Sequence, residues 1–196
     1  KSNRISKKNV VKNKKFGVDS ADFFGKATNQ NNLIGLEPLH RNGFRGEGVR
    51  IAVLDGGFKN VDTIHWFNKT KIVSYKDFIY PSSSVFSGHY HGTAVLSIMG
   101  VNEGQIFTGT APDAEYCLLR TEDVLSEFPI EEDYWAAGAE YADSIGADII
   151  SSSLGYTRYD GGVKSYTINE LDGKTAFISK VATIAAKKGI LVINSA

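Results

Sequence analysis

A single cysteine, Cys117, among 196 residues excludes an internal disulfide. It lies in Glu115–Arg120 (Glu-Tyr-Cys-Leu-Leu-Arg), a run that reads as a buried strand, so the thiol reads as core filling rather than as a nucleophile. An excess of one charge is missing too. The 22 Lys and Arg balance 22 Asp and Glu, which leaves no global field to favour nucleic acid or an anionic membrane. No apolar run comes near the length of a bilayer span. Lys1 opens the chain without Met or an apolar leader, so localisation is not read from this end.

What is present is the composition of a globular protein, 42% hydrophobic and long enough to bury the core of one domain or most of one. Seven of the first fifteen residues are Lys or Arg, with no acid and no apolar periodicity, so residues 1–20 are expected to be a basic flexible arm or the remnant of a pro-segment. Ordered structure is expected over 21–196, with a short helix at Leu33–His40 before a turn at Gly43–Gly48.

Element types then alternate. Strands are predicted at Val49–Leu54, Glu115–Leu119, Asp148–Ser152 and Ile190–Asn194, and helices at His91–Met99, Ile130–Ile145 and Thr175–Lys188. Such alternation, with strands apolar on both faces, predicts an α/β class: a doubly wound, mostly parallel sheet with helices on both faces and right-handed crossovers. Glu131, Glu132 and Asp133 fit a first helical turn whose dipole favours anions, with recognition of basic substrates as the lesser alternative, and Lys187, Lys188 and Gly189 fit a last turn and cap. Trp135, Ala139 and Ala142 share a helix face and read as core. Residues Gly155–Lys174 break the regularity with tyrosines, glycines and charges, in a segment too long for a routine connection.

Ligand sites in open α/β sheets lie beyond the carboxyl ends of strands, and Asp55 directly follows Ile51-Ala52-Val53-Leu54. Gly56-Gly57 lets the backbone turn away so that the carboxylate projects. A dinucleotide fingerprint would need Gly-x-Gly-x-x-Gly here, and a phosphoaspartate site a second acid two residues on; neither is present. His91 opens an apolar helix through Gly92-Thr93-Ala94. A general-base histidine needs a carboxylate to fix its tautomer, and Asp55 is the candidate partner. Taken singly, Asp55 reads equally well as a turn cap and His91 as a helix-start residue. His89 reads as a loop residue, because His-x-His without a third ligand is a weak metal signal.

Ile51–Phe58 (Ile-Ala-Val-Leu-Asp-Gly-Gly-Phe), His91–Val95 (His-Gly-Thr-Ala-Val), Gly109-Thr110-Ala111-Pro112 and Ser153-Leu154-Gly155 occur in the order seen in subtilases. From roughly Gly43 onward the chain resembles that family of serine endopeptidases. The resemblance implies that Asp55 orients His91, that His91 is the general base, and that Ser153, Leu154 and Gly155 pair with a peptide or protein substrate as an added strand. It implies no required cofactor and a secreted or cell-surface location. The tyrosine-rich insert, with Leu171-Asp172-Gly173-Lys174-Thr175, resembles a secreted bacterial subgroup.

Departures accompany the matches. Ala94 stands where many members carry a second histidine, and Gly100–Gly109 is too short for subtilisin's calcium loop. Asp160 and Asp172 are candidate calcium ligands in the insert, although turn formation is the commoner use of such residues. No Gly-Thr-Ser-Met-Ala segment is present. The expectation is therefore the N-terminal portion of a catalytic domain, inactive alone, whose nucleophile lies on a downstream segment or a companion chain. The family's oxyanion asparagine is expected just past Ala196; Asn194 is not that residue. The alternative is a proteolytically silent subtilase-like module that binds peptides or supports assembly.

Overall fold

The computed structural model describes residues 23–195. The basic arm expected at residues 1–20 lies outside the described residues. Five strands form one sheet in the order β2-β3-β1-β4-β5. They are β1 (Arg50–Asp55), β2 (Lys71–Asp77), β3 (Glu115–Arg120), β4 (Ile149–Ser152) and β5 (Leu191–Asn194), and every pairing is parallel. The helices are α1 (Thr28–Leu33), α2 (Leu36–Arg41), α3 (His91–Gly100), α4 (Ile130–Ser144) and α5 (Phe177–Lys187). The α/β architecture with helices on both faces is as expected.

The centre of the sheet explains its unbroken apolar runs. Side chains alternate across a strand, so Ile51 and Val53 of β1 join Tyr116 and Leu118 of β3 beneath Leu96 of α3. Ala52 and Leu54 join Cys117 and Leu119 on the opposite face, against Trp135, Ala139 and Ala142 of α4 and Ala185 of α5. Both faces of β1 and β3 are therefore buried, and Cys117 is a buried free thiol as expected. Burial pushes that thiol up to about 11, away from nucleophilic use.

Four differences from the sequence reading have local causes. Strand β2 is an edge strand with an irregularity between Ile72 and Ser74, and its Lys71, Val73, Tyr75 and Lys76 are exposed, so it carries little apolar signal. The helix expected at Leu33–His40 is two short helices, because Gly35 at φ 68° takes a left-handed conformation that ends the first. Helix α5 starts at Phe177 rather than Thr175. Asp172 binds the backbone N–H groups of Lys174 and Thr175 at 2.8 and 2.7 Å and the Thr175 hydroxyl at 2.9 Å, which holds that segment in a turn.

The fourth concerns the acidic start of α4. Of the three acids only Asp133 is exposed, while Glu131 and Glu132 turn inward. Glu132 accepts the Tyr159 and Tyr166 hydroxyls and, at 2.7 Å, the Ile178 N–H. It thus pins the insert and the start of α5 to α4 rather than serving only as a dipole complement. Asp160, one calcium candidate, accepts the Glu127 N–H at 3.0 Å, and Asp172 makes the turn described above. The two are engaged by separate backbone segments.

Candidate active site

Asp55 ends β1 at the carboxyl edge of the sheet, in register with Arg120 of β3. The chain leaves it through Gly56-Gly57, and α3 packs directly on that turn. A Cβ at Gly92 would lie 2.5 Å from the Gly57 carbonyl oxygen and 2.8 Å from the Phe58 ring. Only a residue without a side chain lets the first turn of α3 come this close, and the approach carries His91 onto Asp55.

The Asp55 side chain is fully buried. Its Oδ1 accepts the Gly56 N–H at 2.7 Å, and His91 Nδ1 lies 3.0 and 2.9 Å from its two oxygens. Burial raises the Asp55 carboxyl above its ordinary value, and the contacts with His91 and the Gly56 N–H oppose that shift. An ionised carboxylate only accepts, so the proton of a neutral His91 belongs on Nδ1 and the lone pair on Nε2. The His91 side chain is 48% exposed, and Nε2 has no hydrogen-bond partner among the described residues. One face of the ring is held, and the other is open to a reactant.

A cleft of about 230 Å³ adjoins this pair, lined by Asp55, His89, His91, Glu122, Val124 and Ser153. His89 is a loop residue as read from the sequence, but it also borders the site. Its Nδ1 accepts the His91 N–H at 3.3 Å and its ring packs on Tyr90 with centroids 4.4 Å apart. Ser153 lies in the same cleft, just past the end of β4. Leu154 is buried among Trp135, Ile150 and Tyr156, and exposed Gly155 has open space where a Cβ would be. These two border a neighbouring cleft of about 210 Å³, shared with Trp135, Tyr156, Ile178 and Asn194. The structure therefore brings Asp55, His91 and Ser153 to one cleft and sets Leu154 and Gly155 at the next. Asn194 donates to the adjoining Ser195 carbonyl at 2.7 Å.

Sequence reasoning passed over Glu122. It follows β3 and has no motif of its own, yet burial and the negative charges of Glu127 and Asp55 push it up to about 7. Its position two residues beyond Arg120, at the same sheet edge as Asp55, was the available signal.

A model of the subtilase family matches residues 46–196. Among solved structures, the chain is similar to MycP1 with its N-terminal propeptide removed, at a TM-score of 0.61 and 21% identity over 84% of this chain and 47% of that one. It is similar to the prenylagaramide maturation protease PagA at 0.57 and 23%, over 82% of this chain and 50% of that one. The protease domain of PatA gives 0.54 and 20%, over 76% and 50%. The chain spans about half the length of these structures, and at such identities they establish the fold. No curated protein matches the chain.

Proposed function

The chain belongs to the subtilase family, and from that premise we propose that it supplies two members of the Asp-His-Ser triad of a serine endopeptidase. Asp55 orients His91, His91 is the general base, and the serine nucleophile lies on a segment outside these 196 residues. The observation that carries the proposal is the buried Asp55 carboxylate 2.9 Å from His91 Nδ1, with the opposite edge of the ring unpartnered.

The chemistry follows from that pair. Nε2 takes the hydroxyl proton as the serine oxygen attacks the scissile carbonyl, and the imidazolium that forms is stabilised by Asp55. His91 then returns the proton to the leaving amine, and a water repeats the cycle on the acyl-enzyme. Asp55 contributes orientation and charge rather than proton transfer. Ser153, Leu154 and Gly155 follow β4 off the sheet, where an extended peptide can add as a strand through backbone hydrogen bonds.

The reading that further chain completes the domain has its own support. Leu191 and Ile193 of β5 are 57% and 49% exposed, although Ile149, the neighbour of Leu191 in register, packs against the α3-side core. An apolar stripe left open on the outermost strand of the sheet calls for a covering element. Export to the cell surface or beyond belongs to the same proposal and rests on the family resemblance.

The test is hydrolysis of an unstructured protein substrate by the full-length protein and by its His91→Ala variant. A loss of about 10⁴-fold or more in kcat with unchanged thermal unfolding is expected. Unaltered hydrolysis by the variant contradicts the assignment, and a wild-type protein inert toward every substrate and serine reagent favours the silent module.

A further inference from the structure

From Arg120 to Arg158 the chain contains no intervening Lys or Arg, while Glu122, Asp123, Glu127, Glu131 and Glu132 crowd the loop after β3 and the start of α4. Two of these acids are satisfied internally. Asp123 accepts the Tyr80 hydroxyl at 3.0 Å and the Leu125 N–H at 3.3 Å, and Glu132 holds the insert. Among the described residues no Lys or Arg pairs with Glu122, Glu127 or Glu131, and the favourable charge that reaches Glu122 is that of His91. The guanidinium of Arg120, two residues before Glu122, is turned to Asp77 at 3.2 Å and lies over the Tyr80 ring.

Two buried polar groups face this cluster without partners. Glu131 is 1% exposed, and neither of its carboxyl oxygens has a hydrogen-bond partner. The Asp123 backbone N–H, in the loop that bears Glu122, favours its charged form. Tyr156 is 6% exposed, and its hydroxyl is also unpartnered. The charges that reach that hydroxyl are those of Glu122, Glu131, Glu127 and Glu132. Buried polar groups are paired in folded proteins as a rule, so a carboxyl and a phenol left open at one place mark a ligand's position.

The location is specific. Glu122 lines the cleft of Asp55 and His91, and Tyr156 lines the neighbouring cleft of Leu154 and Gly155. Glu122 therefore borders the catalytic pair, and Tyr156 borders the segment proposed to hold the substrate backbone. The described residues contain no cluster of three His, Cys, Asp or Glu spaced to hold a metal ion. Spread-out acceptors suit a long side chain with several N–H donors better than a compact ion.

We propose that Glu122, Glu127, Glu131 and the Tyr156 hydroxyl form a recognition pocket for an arginine or lysine side chain of the peptide substrate, close to the bond that is cut. Such a side chain provides the missing counter-charge and donors together, and a neutral side chain leaves the carboxyls unpaired. The upward displacement of Glu122 to about 7 and Glu131 to about 8 has the direction expected of carboxyls buried beside one another without a cation. This inference rests on the protease reading for its substrate but not for its pocket.

The test uses the full-length protein and peptides in which each of the four residues before the cleaved bond is in turn arginine or citrulline, its uncharged near-isostere. At one position arginine is expected to exceed citrulline by about 10- to 100-fold in kcat/KM, the worth of hydrogen bonds to a charged partner. Equal turnover at all four positions overturns the proposal without any variant that has to fold. Glu122→Gln and Glu131→Gln, separately and together, are expected to shrink the ratio; an unchanged ratio in a folded double variant removes these residues from the pocket. Binding of the same fluorescent peptide pairs to the His91→Ala protein separates the two claims. Arginine preference in binding without cleavage by the wild type overturns the protease reading and keeps the pocket, cleavage without preference does the reverse, and neither binding nor cleavage overturns both.

Discussion

Asp55 at the end of β1 and Glu131 at the start of α4 are carboxyls of equal burial, 0% and 1% exposed, in opposite circumstances. Asp55 receives the Gly56 N–H and holds His91 Nδ1 with both oxygens. Glu131 meets no side-chain donor among the described residues, and the one backbone N–H that favours its charged form is that of Asp123. Burial raises both groups, but contacts with His91 oppose the rise at Asp55, whereas neighbouring Glu127 and Glu122 reinforce it at Glu131, to about 8. Burial alone therefore says little about what a carboxylate does. A buried acid with a complete set of donors orients something, and one without them costs stability until a partner arrives.

The comparison breaks most sharply at Asp55. Asp55→Asn keeps the shape but can present an amide N–H to Nδ1, which turns the imidazole to the wrong tautomer; kcat of the full-length protein is expected to fall by about 10⁴-fold, with a small change in melting temperature. Activity within tenfold of wild type would show that the pair is structural. Gly92→Ala acts on the same pair through the backbone. Its methyl would meet the Gly57 oxygen at 2.5 Å, so α3 shifts; the expected loss is about 10²-fold in kcat for about 1–3 kcal/mol of stability. A loss of stability with kcat intact would mean that the close approach serves packing only.

At the other pole, Glu131→Gln sharpens the contrast through pH. The folded carboxyl is raised from 4.5 to about 8, so the folded state holds this proton more tightly than the unfolded chain. Its contribution is fully present below about 4.5 and is lost as pH rises toward and through 8. The substitution is expected to flatten the fall in melting temperature over that range. At the alkaline end it should stabilise the protein relative to wild type, because a neutral amide replaces a carboxyl that has to ionise beside other carboxylates. Thermal unfolding across the pH series checks this, and a variant that is less stable at every pH would assign Glu131 a satisfied role.

The same contrast separates what was legible in the sequence from what was not. β1, α3, Asp55 and His91 were readable because each is specified within a few consecutive residues: an apolar run, a glycine turn, a histidine before small residues. β2 was not, since an edge strand with Lys71, Tyr75 and Lys76 exposed and an irregularity at its middle carries no clean period. The inward turn of Glu131 and Glu132 could not be read either. Which way the first turn of α4 faces is decided by Tyr159, Tyr166 and Ile178, far along the chain. Glu122 was missed for the same reason, because its neighbours Asp55 and Ser153 come from other strands. The absence of any Lys or Arg between Arg120 and Arg158 was the visible clue to an unneutralised acidic region.

The most direct measurement for the triad is covalent. The full-length protein is treated with a serine-directed phosphonate, digested, and mapped by mass spectrometry alongside Asp55→Asn and His91→Ala. The account predicts one labelled serine, located outside these 196 residues, with labelling strongly slowed in both variants. Label on Ser153 or Ser195, or labelling that is indifferent to Asp55 and His91, would contradict it.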